Sequence, residues 1–354
     1  LIMTTAAQKQ VVRHLVLWLT TDCNLSCVYC YRGHPKDQIA MSRKTALAAL
    51  ALAAESGQPF HVQLAGGEPT LEPGLIEYLA HAIRFKSWPA TLAIQTNAVA
   101  LTSDLADMFR CWEIGVGISL DGPPQVHGRL RGKSAHTLRG MESLERAGVE
   151  FNVTAVVSAA NVMHLPQLAL LLGRYEHARG LGLDLLINRG EAAKGSIAMA
   201  DAQGLHRTMQ ELVLAVSWVN RIRRTPLVLR EVERMKQVAD AFCHAAAGAS
   251  LAVHPDGRLY PCGQTMGDDD VALGTIDNPD FSKLNTLSGY ELGSAQCGGC
   301  PLEGRCPGEC PSRLKYNGRQ GHELACAMLR GLAKGMDAET GNSHEHLECG
   351  HAAA

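Results

Sequence analysis

Short apolar runs alternate along the chain with longer stretches whose apolar residues recur at helical spacing. The runs predict strands at 16–21, 61–65, 92–96, 115–120, 152–157 and 182–187. The stretches between them predict helices at 42–56, 74–85, 135–147 and 165–178, with Ser42 placed as an N-cap and Gly57 as a stop. Alternating strands and helices predict an α/β fold: a parallel sheet with helices outside. Six such units rather than eight predict an open, partial (β/α)6 barrel of the TIM type. In such barrels, chemistry sits at the C-terminal ends of the strands. Cys23, Gly66, Thr96, Ser119, Ser158 and Asn188 all follow strand ends. Two further helices, 201–224 and 230–247, lead out of the barrel, the second with Val232, Met235, Val238, Ala239 and Phe242 as its buried stripe.

The pattern then changes to a region rich in cysteine, glycine and proline. Twelve cysteines in 354 residues is high. The start shows no basic region followed by an apolar core, and no stretch approaches a membrane span. A cytoplasmic, reduced protein using its cysteines on metal clusters is expected, rather than a disulfide-linked one. The net charge is −2 with no basic stripe, which makes nucleic acid and membrane poor partners.

Cys23, Cys27 and Cys30 read C-x3-C-x2-C. A four-iron cluster normally takes four cysteines. Three leave one iron open to a small molecule, which points to chemistry rather than to simple electron transfer. A structural zinc site is the alternative, but it prefers C-x2-C pairs and needs a fourth ligand. A strand ending in Gly66-Gly67-Glu68-Pro69 follows. Its glycines would let the backbone approach a ligand, and its carboxylate could accept an ammonium group. Next come Gln95-Thr96-Asn97 at another strand end and the stretch Ser119-Leu120-Asp121-Gly122 with His127, Arg129 and Arg131.

With Tyr29 before the third cysteine, these motifs resemble the radical S-adenosylmethionine (SAM) superfamily. The resemblance implies a [4Fe–4S] cluster on Cys23, Cys27 and Cys30. It also implies SAM held by Tyr29, Gly66, Gly67, Glu68, Ser119 and Arg131, with a radical abstracting hydrogen from the substrate. Asp121, His127 and Arg129 would shape the loop. Ser158 and Asn161 either lie near the SAM ribose or close a capped loop. Asn188 and Arg189 would face adenine or substrate.

The second cysteine set reads C-x13-G-x4-C through Cys243, Gly257 and Cys262. It continues as C-x2-C-x5-C-x3-C through Cys297, Cys300, Cys306 and Cys310, and ends at Cys326. This resembles the full SPASM pattern and implies two auxiliary [4Fe–4S] clusters. Cys297, Cys300, Cys306 and Cys326 would hold the outer one. Cys243, Cys262 and Cys310 would hold the inner one, which lacks a fourth cysteine. A zinc-ribbon-like knot is the alternative for this region. Asp256-Gly257 predicts a hairpin, and Asp268-Asp269-Asp270 a solvated loop. Cys111 is expected as a small buried residue, and His344, His346, Cys349 and His351 as part of a tail.

The expected organisation is an N-terminal extension (1–13), the barrel (14–228), the SPASM region with its linking helix (229–332) and a tail (333–354). The family modifies peptides and proteins, so the resemblance implies a maturase of a ribosomally made peptide. Expected partners are a peptide or protein substrate and a reductant such as flavodoxin or ferredoxin. Because little chain precedes the first strand, the expectation is that either a leader docks on the barrel and SPASM region or a separate leader-peptide-binding protein presents it. Conversion of a sulfatase residue to formylglycine is the second reading. It is disfavoured because Gly263 stands directly after Cys262, where maturases of that kind carry an aspartate base. Small-molecule cofactor chemistry and a non-catalytic electron-transfer role are further alternatives.

Overall fold

A computed structural model describes residues 11–35, 37–237, 241–290 and 297–345. Six strand–helix units open the chain. They run β1 (His14–Thr20), α1 (Arg43–Ala54), β2 (Phe60–Gly66), α2 (Pro73–Phe85), β3 (Ala90–Thr96), α3 (Ser103–Cys111), β4 (Gly115–Ser119), α4 (Pro124–Leu130), α5 (Ser134–Ala147), β5 (Phe151–Val157), α6 (Leu165–Leu172), β6 (Ala178–Leu185) and α7 (Ala202–Ile222). The short strand β7 (Val228–Leu229), helix α8 (Arg230–Lys236), the hairpin β8 (Ser250–Val253) and β9 (Leu259–Tyr260), and α9 (Pro311–Glu345) complete it.

Strands β1 to β6 pair in chain order and in parallel, with β7 beyond β6. On the other edge β8 pairs in parallel with β1, and β9 turns back antiparallel. The α/β, partial-barrel fold read from the periodicity is therefore the fold observed. The cysteine-rich part is joined to it through the sheet itself. Apolar side chains of the strands and of α1, α2, α5, α6 and α7 form one continuous core, including Leu17, Leu64, Ile94, Ile118 and Val153. Ser42 caps α1 by accepting from Thr45 N at 3.0 Å, and Gly148, at φ +68°, ends α5 in the left-handed region.

Several expectations need correction. α6 stops at Leu172, and β6 begins at Ala178 rather than 182. Its two glycines look like a turn, yet they serve the strand. A Cβ on Gly180 would lie 2.6 Å from Asn152 Oδ1, and one on Gly182 2.6 Å from the Arg230 guanidinium carbon. The second linking helix, α8, ends at Lys236. Met235 of its expected stripe is buried, whereas Val238 and Ala239 lie outside the described residues. Cys111 is exposed, not buried. The inward face of α3 carries Ala106 and Phe109, and position 111 falls on the other side. The Asp256-Gly257 turn does form the β8–β9 hairpin, with Gly257 at φ +91°. The tail group at 346–351 lies outside the described residues. Among the described residues no helix is long and apolar enough to cross a membrane.

Candidate active site

The first cysteine loop leaves β1 and is fastened to the end of β2. Gly67 N donates to Thr20 O and Glu68 N to Asp22 O, both at 2.8 Å. The glycines are needed for that closeness. A Cβ on Gly67 would fall 1.7 Å from Asp22 O, and one on Gly66, already at φ +133°, 2.4 Å from Thr20 O. The two glycines thus let backbone meet backbone, which places the cysteine loop. Asp22 Oδ1 accepts from Cys23 N at 2.7 Å, and the loop closes with Cys30 N donating to Cys27 O at 3.2 Å. From the far side, Glu191 N donates to Cys30 O at 2.9 Å, so the segment after β6 packs on the third cysteine.

Glu68 is buried and well provided with donors. Its Oε1 accepts from Thr70 N (3.1 Å), Thr70 Oγ1 (2.6 Å) and Thr96 Oγ1 (2.6 Å), and its Oε2 from Asn97 N (2.7 Å). Burial pushes its carboxyl up, and these bonds oppose that. Thr96 and Asn97 at the end of β3 are thus the partners that hold Glu68. Asn97 also donates to Asn24 Oδ1 in the cysteine loop at 2.7 Å. Beyond β4, Arg131 grips Asp121 twice, Nε to Oδ2 at 2.8 Å and Nη2 to Oδ1 at 3.2 Å, and its guanidinium lies over the Tyr29 ring at 5.4 Å. The Tyr29 hydroxyl bonds Asp121 Oδ2. Asp121 is therefore the hub that places Tyr29 and Arg131, more than a shaper of its own loop. Ser119 Oγ accepts from Gln95 Nε2 at 3.0 Å.

These parts surround one cavity of about 330 Å³ at the C-terminal ends of the strands. It is lined by Cys23, Cys27, Tyr29, Cys30, Gly66, Gly67, Glu68, Ser119 and Arg131, so every expected cluster and SAM residue of the barrel meets there. Gln95, from the marked strand end, lines it too, together with Asp184, Arg230 and Gln264, none of which was a candidate. Asp184 is bound by Arg230 Nη2 (2.9 Å) and Arg313 Nη1 (3.1 Å). Despite the burial that would raise it, these guanidiniums hold its carboxyl below the usual range. An aspartate inside a strand and two arginines far apart in sequence leave no local pattern to read.

Other expectations fall elsewhere. Ser158 and Asn161 are fully buried and close a loop on each other, Asn161 Oδ1 accepting from Ser158 N at 2.8 Å while its Nδ2 donates to Asp121 O. They form the capped loop and do not line the cavity. Arg189 donates to Gln264 O (2.8 Å) and Met266 O (2.9 Å), so it ties the barrel to the loop after Cys262. Asp268 is also engaged, with the Tyr316 hydroxyl at 2.6 Å and Lys315 Nζ at 3.4 Å.

The remaining thiols fall into two neighbourhoods. Cys243, Cys262 and Cys310 lie within each other's fields, and so do Cys297, Cys300, Cys306 and Cys326. This is the grouping that the SPASM resemblance implies. Burial pushes the Cys27 thiol up to about 11, and burial together with Cys310 takes Cys262 to about 12. Such thiols stay protonated until a cation displaces the proton. Among the described residues no three ligating side chains close to the separation that one ion requires. A cube of four irons spreads its sulfurs farther apart than a single zinc does, and thiols are the donor type such clusters take.

A family model for the radical SAM superfamily matches residues 19–169, which carry the cysteine loop, the glycine pair and Arg131. An uncharacterized protein of Methanocaldococcus jannaschii is 28% identical over 281 residues, covering 77% of this chain and 92% of its own. The mycofactocin maturase MftC of Mycobacterium tuberculosis is 26% identical over 332 residues, covering 85% and 78%. Among solved structures, anSMEcpe with bound AdoMet and a Cp18Cys peptide superposes with a TM-score of 0.73 at 19% identity, over 95% of this chain and 99% of that one. That likeness is one of fold. Together with the matched family model and the cysteine geometry, these relationships establish that the chain belongs to the radical SAM superfamily, as a relative at modest identity of the SPASM-domain maturases.

Proposed function

We propose that this chain is a peptide-modifying enzyme, a maturase of a ribosomally made peptide. The observation that carries the reading is the 330 Å³ cavity, which brings the Cys23, Cys27 and Cys30 thiols together with Gln264, the neighbour of the inner thiols. A relative across most of the chain is a maturase by name, and a structural neighbour was solved holding AdoMet and a peptide. A [4Fe–4S] cluster on the three cysteines, with SAM, would supply hydrogen-atom abstraction from an unactivated C–H bond. The protein's own part is placement. Glu68 keeps lone-pair capacity on Oε2 for an ammonium group. Gly66 and Gly67 hold the cysteine loop against β2, and Asp121 fixes Tyr29 and Arg131 at the cavity wall. Ser119, steadied by Gln95, offers a hydroxyl. In the proposed division, residues 14–228 form the barrel and 229–332 the region of two auxiliary clusters. The partners are a peptide and an external one-electron reductant.

Sulfatase-type chemistry remains second. A side chain at Gly263 would meet Val16 Cγ1 at 3.3 Å from its Cβ. Of the two carboxylates that line the cavity, Glu68 is held by its own four donors, and Asp184 is engaged by two arginines and is a poor base. The test is co-expression with each short open reading frame found beside this gene, against a Cys27→Ala control. The expected result is a peptide lighter by two hydrogens per modified site, with wild type only. An unchanged peptide while 5′-deoxyadenosine still forms would overturn the peptide assignment and leave the radical chemistry standing.

A further inference from the structure

The outer thiols differ from the inner ones in what surrounds them. Helix α9 brings two donors to the outer set: Arg330 Nη2 lies 3.4 Å from Cys300 Sγ, and His322 Nε2 lies 3.3 Å from Cys326 Sγ. An iron-bound thiolate has no S–H, so toward such a sulfur His322 can act only as donor, through the Nε2–H tautomer or as imidazolium. Arg330 is a charged donor, and among the described residues it has no carboxylate within 4.0 Å. Its charge also reaches Cys306 and Cys326. Water reaches this set as well. A cavity of about 1020 Å³ opens beside it, lined by Cys326, His322, Arg330, Arg319 and His206, and Cys306 is exposed.

The inner set is enclosed, with Cys310 only 8% exposed. The groups bonded to its sulfurs are neutral: Gln264 N donates to Cys262 Sγ at 3.4 Å, and the Ser312 hydroxyl, which donates to Gln264 Oε1, lies 3.0 Å from Cys310 Sγ. Two guanidiniums act on this set: Arg313, compensated by Glu309 and Asp184, and Arg234, whose charge reaches Cys243 without bonding its sulfur.

Hydrogen bonds to sulfur, positive charge and solvent all favour the reduced, more negative state of a cluster, while burial opposes it. A charged donor directly on sulfur, and a thiol open to solvent, distinguish the outer set. We propose that Arg330 and His322 are positioning residues that raise the reduction potential of the outer auxiliary cluster above that of the inner one. With clusters bound on both cysteine sets, this ordering would favour the outer set as the resting place of an electron delivered by the external reductant. This rests on the reading that both cysteine sets carry clusters.

The experiment is an EPR-monitored redox titration of the fully loaded protein, with iron and sulfide counted in every sample. The variants are Arg330→Gln, Arg330→Lys and His322→Gln, with Cys300→Ala to assign the outer signal. The wild-type outer midpoint is expected above the inner one. Arg330→Gln should lower the outer midpoint alone, shifting its oxidised-to-reduced ratio at the wild-type midpoint about tenfold, which is about 59 mV for one electron. Arg330→Lys should recover part of the shift, and His322→Gln should give a smaller fall of the same sign. Unchanged midpoints in loaded Arg330→Gln, or an outer midpoint below the inner, would overturn the proposal. Iron and sulfide too low for auxiliary clusters in wild type would instead overturn the reading beneath it.

Discussion

His127 shows how far a single side chain is fixed by its surroundings. It is fully buried, its Nδ1 lies 3.3 Å from Asp121 N and its Nε2 3.4 Å from Thr137 Oγ1. Accepting from a backbone N–H requires a neutral ring. Burial first, and Arg131 next, lower its pKa to about 4, against the opposing pull of Asp121. Between pH 4 and the ordinary value near 6.5, the unfolded chain therefore binds the extra proton and the folded one does not. Stability rises with pH through that window, is fully present above it, and is lost as pH falls toward 4. For this one group the loss at pH 5 is about 2 kcal/mol. Urea unfolding at pH 7 and pH 5 should show a smaller pH difference for His127→Gln than for wild type. An equal difference would mean that the ring is not held neutral. The sequence marked His127 as part of a motif loop. It could not show that the ring supports the backbone of Asp121, because that contact exists only once α4 has folded over β4.

Among the elements, β6, α8 and the start of α9 are joined by charge. Arg230 at the head of α8 and Arg313 near the head of α9 meet on Asp184 of β6, with Glu231 and Glu309 completing the group. Asp184 is partly exposed to the cavity, so its worth lies below that of a fully buried pair. Asp184→Asn leaves two guanidiniums facing each other and should cost about 1–3 kcal/mol. It should also loosen the seat of Cys310, which stands between Glu309 and Arg313. Limited proteolysis around 306–313, compared with wild type, reads that loosening directly. Unaltered cleavage together with unaltered stability would show that the apolar packing of α9 on α7 holds this region by itself. Strand identity was legible wherever an apolar run was unbroken. At β6 the strand was legible but its start was not: Gly180 and Gly182 make room for Asn152 and Arg230, residues that no local window can connect with them. The end of α8 was not legible for a related reason: a helical period continues in the sequence beyond Lys236, and the backbone does not follow it.

At the scale of the whole molecule, the cysteines were the most legible feature, since ligand spacing is a property of the chain itself. Their division into three groups is a property of the fold. β8 lies against β1, which brings Cys262 to the barrel mouth, and α9 returns Cys326 to the segment of Cys297–Cys306. Within each group the thiols feel one another, and the two auxiliary groups share no such coupling. Three separate donor groups should load and fail separately. If each holds a four-iron cube, the anaerobically reconstituted protein carries about twelve irons. Cys27→Ala, Cys262→Ala and Cys300→Ala should each remove about four of them and leave the remaining spectroscopic signals in place. Only Cys27→Ala should abolish SAM cleavage outright, because only that group shares its cavity with Glu68, Ser119 and Arg131. Loss of iron from the inner group in Cys300→Ala would show that the two auxiliary groups assemble as one unit, held by the paired course of α9 and the 297–310 segment rather than by their own thiols.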